Sequence, residues 1–96
     1  MNHIRLLDCT LRDGGYLVDT IFGDSVIKGI IKKLCMANVD IVEVGFLKDG
    51  IHKQGSSTFN RVEEIIKYLP EKNDMGNTSF VAMIDYGRYS IENLSY

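Results

Sequence analysis

Three short apolar segments recur along this chain at similar spacing, and this repetition constrains the fold more than any other feature. The segments begin near Ile4, Val39 and Ser79, so one strand and its following helix take roughly 35 to 40 residues. Buried strands that alternate with helices pair in parallel, because a crossover through a helix returns the chain in the same direction. The spacing therefore predicts an α/β fold of about three β-α units.

Hydrophobic periodicity gives the bounds of the predicted strands. They are short, rich in apolar and β-branched residues, and span residues 4–11, 39–46 and 80–84. A complete (β/α)₈ barrel takes about 250 residues, so three such units make up the N-terminal part of a TIM barrel or a small open sheet. We expect residues 1–96 to form a single partial domain.

Two amphipathic helices are expected between the strands. Asp24 or Ser25 is the predicted N-cap of the first, which ends near residue 38. Asn60, with Glu63 three positions on, is the predicted cap of the second, which ends at Pro70. Residues 47–57 are predicted to form a polar loop, and residues 86–96 a loop with the start of a third helix.

Composition narrows the functional classes. The formal net charge of -2 and the pI near 5.6 give no basic face for nucleic acid. No apolar run approaches the roughly 18 residues that cross a membrane, and no signal-peptide pattern precedes the first strand. We therefore expect a cytoplasmic protein without nucleic-acid or membrane partners. Cys9 and Cys35 lie within apolar segments and are interpreted as reduced, buried thiols.

Charged residues follow the first predicted strand directly, at the edge where α/β sheets build active sites. Arg12 and Asp13 point in opposite directions if the chain is still extended there, so they would address one ligand from two sides rather than pair with each other. Gly14 and Gly15 then allow the backbone to approach a ligand closely. A surface turn with a solvated charge pair explains the same residues equally well.

Glu43 stands between two valines in the second predicted strand. A carboxylate in an apolar strand has a cationic or metal partner as a rule. A buried salt bridge to Arg12 or Arg5 is slightly favoured over a direct role as a metal ligand.

The remaining ionisable candidates carry less information. His3 precedes the first strand, and His52 lies in the polar loop, where a solvated position is favoured. The two histidines do not have the spacing of a metal site. Asp85 follows the third strand, at the same edge as Arg12, where an aspartate often serves only to form a turn.

Four segments resemble one enzyme family. Residues 6–15, Leu-Leu-Asp-Cys-Thr-Leu-Arg-Asp-Gly-Gly, and residues 40–46, Asp-Ile-Val-Glu-Val-Gly-Phe, are similar to the first two strands of the metallolyase family of TIM barrels. That family includes hydroxymethylglutaryl-CoA lyase, isopropylmalate synthase and 4-hydroxy-2-oxovalerate aldolase. Residues 55–60 and 82–87 resemble its aldolase-like branch. The resemblance covers nearly the whole chain and the N-terminal third of a family barrel.

The resemblance implies particular roles. Asp13 matches a ligand to Mg²⁺ or Mn²⁺, and Arg12 matches the arginine that holds the substrate's carbonyl oxygen and stabilises the enolate. Glu43 would lie beside the metal or Arg12. Tyr16 stands where the oxovalerate aldolases have a catalytic histidine. A phenol is a poor base at neutral pH but can donate a proton or a hydrogen bond.

The expected function follows from the resemblance: a divalent-metal-dependent aldolase or lyase that cleaves a carbon–carbon bond in a small 2-oxo or hydroxy acid. The family's remaining metal ligands, a His-x-His pair, would lie beyond residue 96, so this chain is expected to hold the metal weakly and to be inactive alone. The alternative is a non-catalytic barrel relative or an association module. Unpaired sheet edges predict a homo-oligomer or pairing with missing barrel segments.

Overall fold

The computed structural model describes residues 4–84 and 87–94. Its centre is a sheet whose strands are all parallel: β1 (Leu7–Asp8), β2 (Ile41–Leu47), β3 (Thr58–Phe59) and β4 (Ser79–Ile84). β4 pairs with β2 along its whole length, so β1 and β3 share the opposite edge, at the start and the end of β2 respectively. The prediction of an α/β fold with parallel strands is confirmed.

The helices are mostly short. They are α1 (Thr10–Asp13), α2 (Gly15–Val18), α3 (Asp24–Met36) and α4 (Val62–Ile66), with 3₁₀ turns at Lys72–Asp74 and Ile91–Asn93. In α3, Ile27, Ile31 and Cys35 recur every fourth residue and are buried. They join Val42, Val44 and Phe59 of the sheet in one apolar core. The described helices include none that is long and apolar enough to span a membrane.

The first strand is much shorter than predicted, because the chain enters a helical turn at Thr10. The Asp8 carboxylate accepts hydrogen bonds from the Thr10 amide and hydroxyl, both at 3.0 Å. The carbonyl oxygen of Cys9 then accepts from the amides of Arg12 and Asp13 at 3.1 and 2.7 Å. These local hydrogen bonds from Thr10 to the Asp8 side chain favour a helical turn, so strand pairing stops at Asp8.

Both predicted helix caps are wrong. α3 follows Gly23, whose φ of 94° suits glycine, and Asp24 is its first helical residue. At α4, Glu64 rather than Glu63 reaches back, and its Oε1 accepts from the amides of Asn60 and Arg61 at 2.7 and 2.8 Å. The helix ends at Ile66, earlier than the sequence pattern indicates.

Gly45 permits the close approach of β2 to the segment before β3. The register between β2 and β4 shifts between Glu43 and Phe46, and Gly45 has a φ of 149°. A Cβ atom on Gly45 would lie 1.9 Å from the carbonyl oxygen of Ser57. Only glycine fits this irregular point of the strand.

Candidate active site

Arg12 lies in α1, directly after β1, and forms two ion pairs. Its Nε donates to Oε1 of Glu43 in β2, and its Nη1 donates to Oδ1 of Asp13 at 2.6 Å. The Arg12 and Glu43 side chains are 21% and 11% exposed, whereas that of Asp13 is 57% exposed. Because β1 and β2 are adjacent parallel strands, the ion pair with Glu43 holds the guanidinium of Arg12 near the carboxyl end of β1.

The structure corrects one expectation about this cluster and confirms another. Arg12 and Asp13 pair with each other instead of pointing apart, because residues 10–13 are helical and not extended. The interpretation of Glu43 as the partner of a buried salt bridge is confirmed, with Arg12 as the cation.

Contacts within the cluster raise the pKa of two side chains, Arg12 and Cys9. The hydrogen bond to Glu43 raises the pKa of Arg12 above its ordinary value, so the guanidinium stays charged. The thiol of Cys9 donates to Oδ2 of Asp13 at 3.4 Å, and this bond, with burial, raises the pKa of Cys9. Cys9 is a half-buried neutral thiol and not a thiolate nucleophile at neutral pH. Cys35 is buried and free, as predicted.

An open groove of about 590 Å³ lies beside the carboxyl end of β2. It is lined by Gly15, Tyr16, Asp19, Thr20, Phe46, Lys48, Thr58 and Arg88. Tyr16 is 72% exposed and packs edge-on against Phe46, with ring centroids 5.9 Å apart. Lys48 and Arg88 supply two positive charges against the one negative charge of Asp19. The groove suits a small anionic molecule.

Hydroxyl groups join the walls of this groove. Thr20 Oγ1 lies 3.1 Å from Ser56 Oγ and accepts a hydrogen bond from Thr58 Oγ1 at 3.3 Å. The amide of Ser57 donates to the carbonyl oxygen of Thr20 at 2.9 Å. The segment after α2 is therefore tied to the start of β3, although some 36 residues separate them.

The structure brings only part of the predicted site together. Arg12, Asp13 and Glu43 form one cluster, while Tyr16 lines the neighbouring groove. His3 and Asp85 lie outside the described residues.

His52 corrects a further expectation. It is half-buried rather than solvated, with its ring stacked on Phe59 at 5.0 Å and its Nδ1 at 2.8 Å from the carbonyl oxygen of Thr58.

Sequence reasoning missed the two cations of the groove. Lys48 falls within the predicted polar loop of residues 47–57, although it directly follows β2, at the edge where ligands bind. Arg88 carries no local signal, since its position at the groove depends on the backbone bond from the Asp49 amide to its carbonyl oxygen, 2.8 Å long.

The residues that the structure describes do not by themselves form the implied Mg²⁺ or Mn²⁺ site. Within residues 4–84 and 87–94, no three His, Cys, Asp or Glu side chains are grouped to hold a metal ion. Asp13 is the implied ligand, and its two oxygens accept from Arg12 and Cys9. A divalent ion bound there would need ligands beyond this set.

Comparison of the chain with models of protein families, with curated proteins and with solved structures finds no match. Functional assignment therefore depends on the geometry of the cluster and the groove, together with the motif resemblance.

Proposed function

We propose that the chain is the N-terminal part of a TIM-barrel enzyme of the metallolyase family, an aldolase-type lyase acting on a 2-oxo or hydroxy acid. One observation carries the proposal. Arg12, a cation held by Glu43 and Asp13, lies at the carboxyl end of β1, and the groove with Lys48 and Arg88 begins at Gly15, three residues further on.

Arg12 supplies the group that such a cleavage needs at the ketone oxygen. As the carbon–carbon bond breaks, the substrate hydroxyl gives its proton to water and becomes the carbonyl of the released aldehyde, while the electron pair of the broken bond moves onto the ketone oxygen as an enolate. A guanidinium has five N–H donors, and within the described chain only one on Nε and one on Nη1 are engaged. The remaining donors can hold the oxygen, and these bonds strengthen as negative charge develops.

Different cationic side chains bind the carbonyl oxygen and the carboxylate of the substrate. The charge of Arg12 is already balanced by Glu43 and Asp13, so its free N–H groups act as hydrogen-bond donors to the carbonyl oxygen and not as an ion-pair partner for the carboxylate. The substrate carboxylate is attracted instead to Lys48 and Arg88. These charges favour a 2-oxo acid, in which carbonyl and carboxylate are adjacent.

Tyr16 acts at the groove as a donor. Its exposed side chain is oriented by the edge-on contact with Phe46. The hydroxyl can therefore donate a hydrogen bond to bound substrate. No step is assigned to a metal ion, because the described residues do not form its site.

An association module is the second candidate, and one surface favours it. An apolar recess of about 390 Å³ lies between β4 and α4, and its lining includes Ile66, Val81 and Ile84, which are 58%, 41% and 43% exposed. Exposed apolar surface of this kind is typical of a protein–protein contact. A homo-oligomer, or pairing with further barrel segments, would cover it.

Pyruvate titration of the 96-residue chain, followed by NMR, tests the enzyme proposal. We expect saturable shifts at the amides of Gly15 and Lys48, weakened by Lys48→Gln and by Arg12→Lys, since an ammonium lacks the planar donor fork of guanidinium. Lys33→Gln, an exposed lysine of α3 outside the groove, is the control. The proposal fails if pyruvate shifts nothing, or if all three variants bind equally.

A steady-state assay with Mn²⁺ and a 2-oxo acid aldol addresses turnover. We expect none from this chain, because a single carboxylate does not fix a metal ion in a productive geometry. Metal-dependent pyruvate release that Asp13→Ala abolishes would contradict this expectation.

A further inference from the structure

A second recess, separate from the groove beside Tyr16, lies between the start of α3, the loop after β2 and the segment after α4. Its volume is about 370 Å³, at the lower end of the range for small-ligand sites. All of its lining residues are polar or charged: Asp24, Lys28, His52, Gln54, Lys67 and Tyr68. None of them lines the first groove. A recess of this size that is lined by polar and charged residues suits a small, charged ligand.

Buried hydrogen bonds hold one wall of the recess in place. Tyr68 is only 6% exposed. Its hydroxyl donates to Oδ1 of Asp24 at 2.5 Å, accepts from the amide of Gly55 at 3.2 Å, and lies 3.3 Å from Nε2 of His52. The second oxygen of Asp24 accepts from Nε2 of Gln54 at 2.8 Å. This wall is ordered before any ligand binds, which lowers the entropy cost of binding.

The ammonium groups of the recess are not neutralised by salt bridges. The ion pairs found within the described ranges are those of Arg12, so no carboxylate oxygen there lies within 4.0 Å of Lys28 or Lys67. The formal charges of these two lysines and Asp24 sum to +1 in a chain of net charge -2. An adjoining recess of about 270 Å³ shares both lysines and adds Lys32 and Glu71. The formal charge of the combined lining stays at +1, because Lys32 and Glu71 cancel.

We propose that this recess binds the phosphate group of a small molecule, with Lys28 and Lys67 as the cationic contacts. Ammonium groups act as point charges for phosphate, and two of them match a dianion better than a carboxylate. The Asp24 carboxylate keeps its negative charge, but the two ammonium groups outnumber it, and its two oxygens accept hydrogen bonds from Tyr68 and Gln54. The assignment is independent of the proposed lyase function.

Titration of the 96-residue chain with inorganic phosphate at pH 7.5, at constant ionic strength set by chloride, tests the site. We expect saturable NMR shifts at the Lys28 and Gly55 amides and at the His52 ring. Lys28→Gln or Lys67→Gln should each weaken binding on the order of threefold to fivefold, and the double variant should abolish it. Lys33→Gln, on α3 but outside both recesses, should change affinity less than twofold.

Three outcomes would overturn the proposal. The first is a response to phosphate no larger than the response to chloride. The second is an equal loss of affinity in Lys33→Gln, which would indicate only a diffuse surface charge effect. The third is saturable binding of an acidic peptide without binding of phosphate, which would make the recess a protein contact. All substituted lysines are exposed, so the variants are expected to fold.

Discussion

Arg12 of α1 donates a hydrogen bond to Glu43 of β2, and this ion pair ties the turn after the first strand to the centre of the sheet. Glu43 is buried: counted over the whole residue, side chain and backbone together, it is 9% exposed. A carboxylate at this depth is stable because a cation and a hydrogen bond compensate its lost hydration.

Removal of the carboxylate charge should weaken the fold measurably. We expect Glu43→Gln to increase the equilibrium population of unfolded chain roughly tenfold, since a charge-assisted hydrogen bond is lost in a buried place. Urea unfolding measures this, and Glu92→Gln, at an exposed residue, should leave the midpoint unchanged. In a double-mutant cycle with Arg12→Gln, additive effects would show that the two residues are not coupled.

Gly45 should be the glycine least tolerant of substitution in the described sheet. Gly45→Ala places a methyl group 1.9 Å from the carbonyl oxygen of Ser57, at a positive φ, and we expect a loss on the order of 3–5 kcal/mol. Gly29→Ala is the matched control, because nothing lies within 4 Å of the added Cβ and the residue is helical. It should gain about 0.5–1 kcal/mol. Equal effects in thermal unfolding would contradict the described path of β2.

Tyr68 should control how acid destabilises the protein. The hydrogen bond from Tyr68 is the main cause of a lowered pKa of Asp24, and the hydrogen bond from Gln54 is the next largest. A carboxyl group with a depressed pKa in the folded state contributes stability above its unfolded pKa of about 3.9, and this stability is lost as the pH falls through the folded pKa. Tyr68→Phe should therefore flatten the decline in stability below about pH 5 and cost about 1–2 kcal/mol at neutral pH.

Tyr89→Phe is the control, because it also removes a buried tyrosine hydroxyl but leaves the hydrogen bond to Asp24 intact. The Tyr89 hydroxyl donates to the carbonyl oxygen of Asn60 at 2.9 Å, so its removal should lower stability without flattening the acid limb. The same flattening in both variants would remove Asp24 from the explanation. Unfolding by urea at a series of pH values provides the measurement.

The apolar recess between β4 and α4 should make the chain associate. Val81 lines this recess and is 41% exposed, whereas Val26 of α3 is 49% exposed and lies outside it. We expect sedimentation at micromolar concentration to show concentration-dependent association, reduced by Val81→Glu and not by Val26→Glu. A monomer of 10.9 kDa at every concentration would defeat this prediction.

The sequence by itself determined the types of the main elements and the direction of the strands. The apolar runs that became β2 and β4 are recognisable locally, since side-chain periodicity and β-branched density depend on neighbouring residues alone. The need of Glu43 for a cationic partner was likewise evident, because burial of a lone carboxylate is costly.

Only the tertiary structure decided how the candidate sites are assembled. His52 is held by Thr58, Phe59 and Tyr68, and Lys48 and Arg88 meet at one groove although they lie forty residues apart. These contacts depend on how a loop folds back on itself or, for Lys48 and Arg88, on residues that are distant along the chain, and local periodicity carries no information about either. The end of the first strand at Asp8 is a different case, because there a local side-chain hydrogen bond, between Asp8 and Thr10, outweighed the apolar pattern.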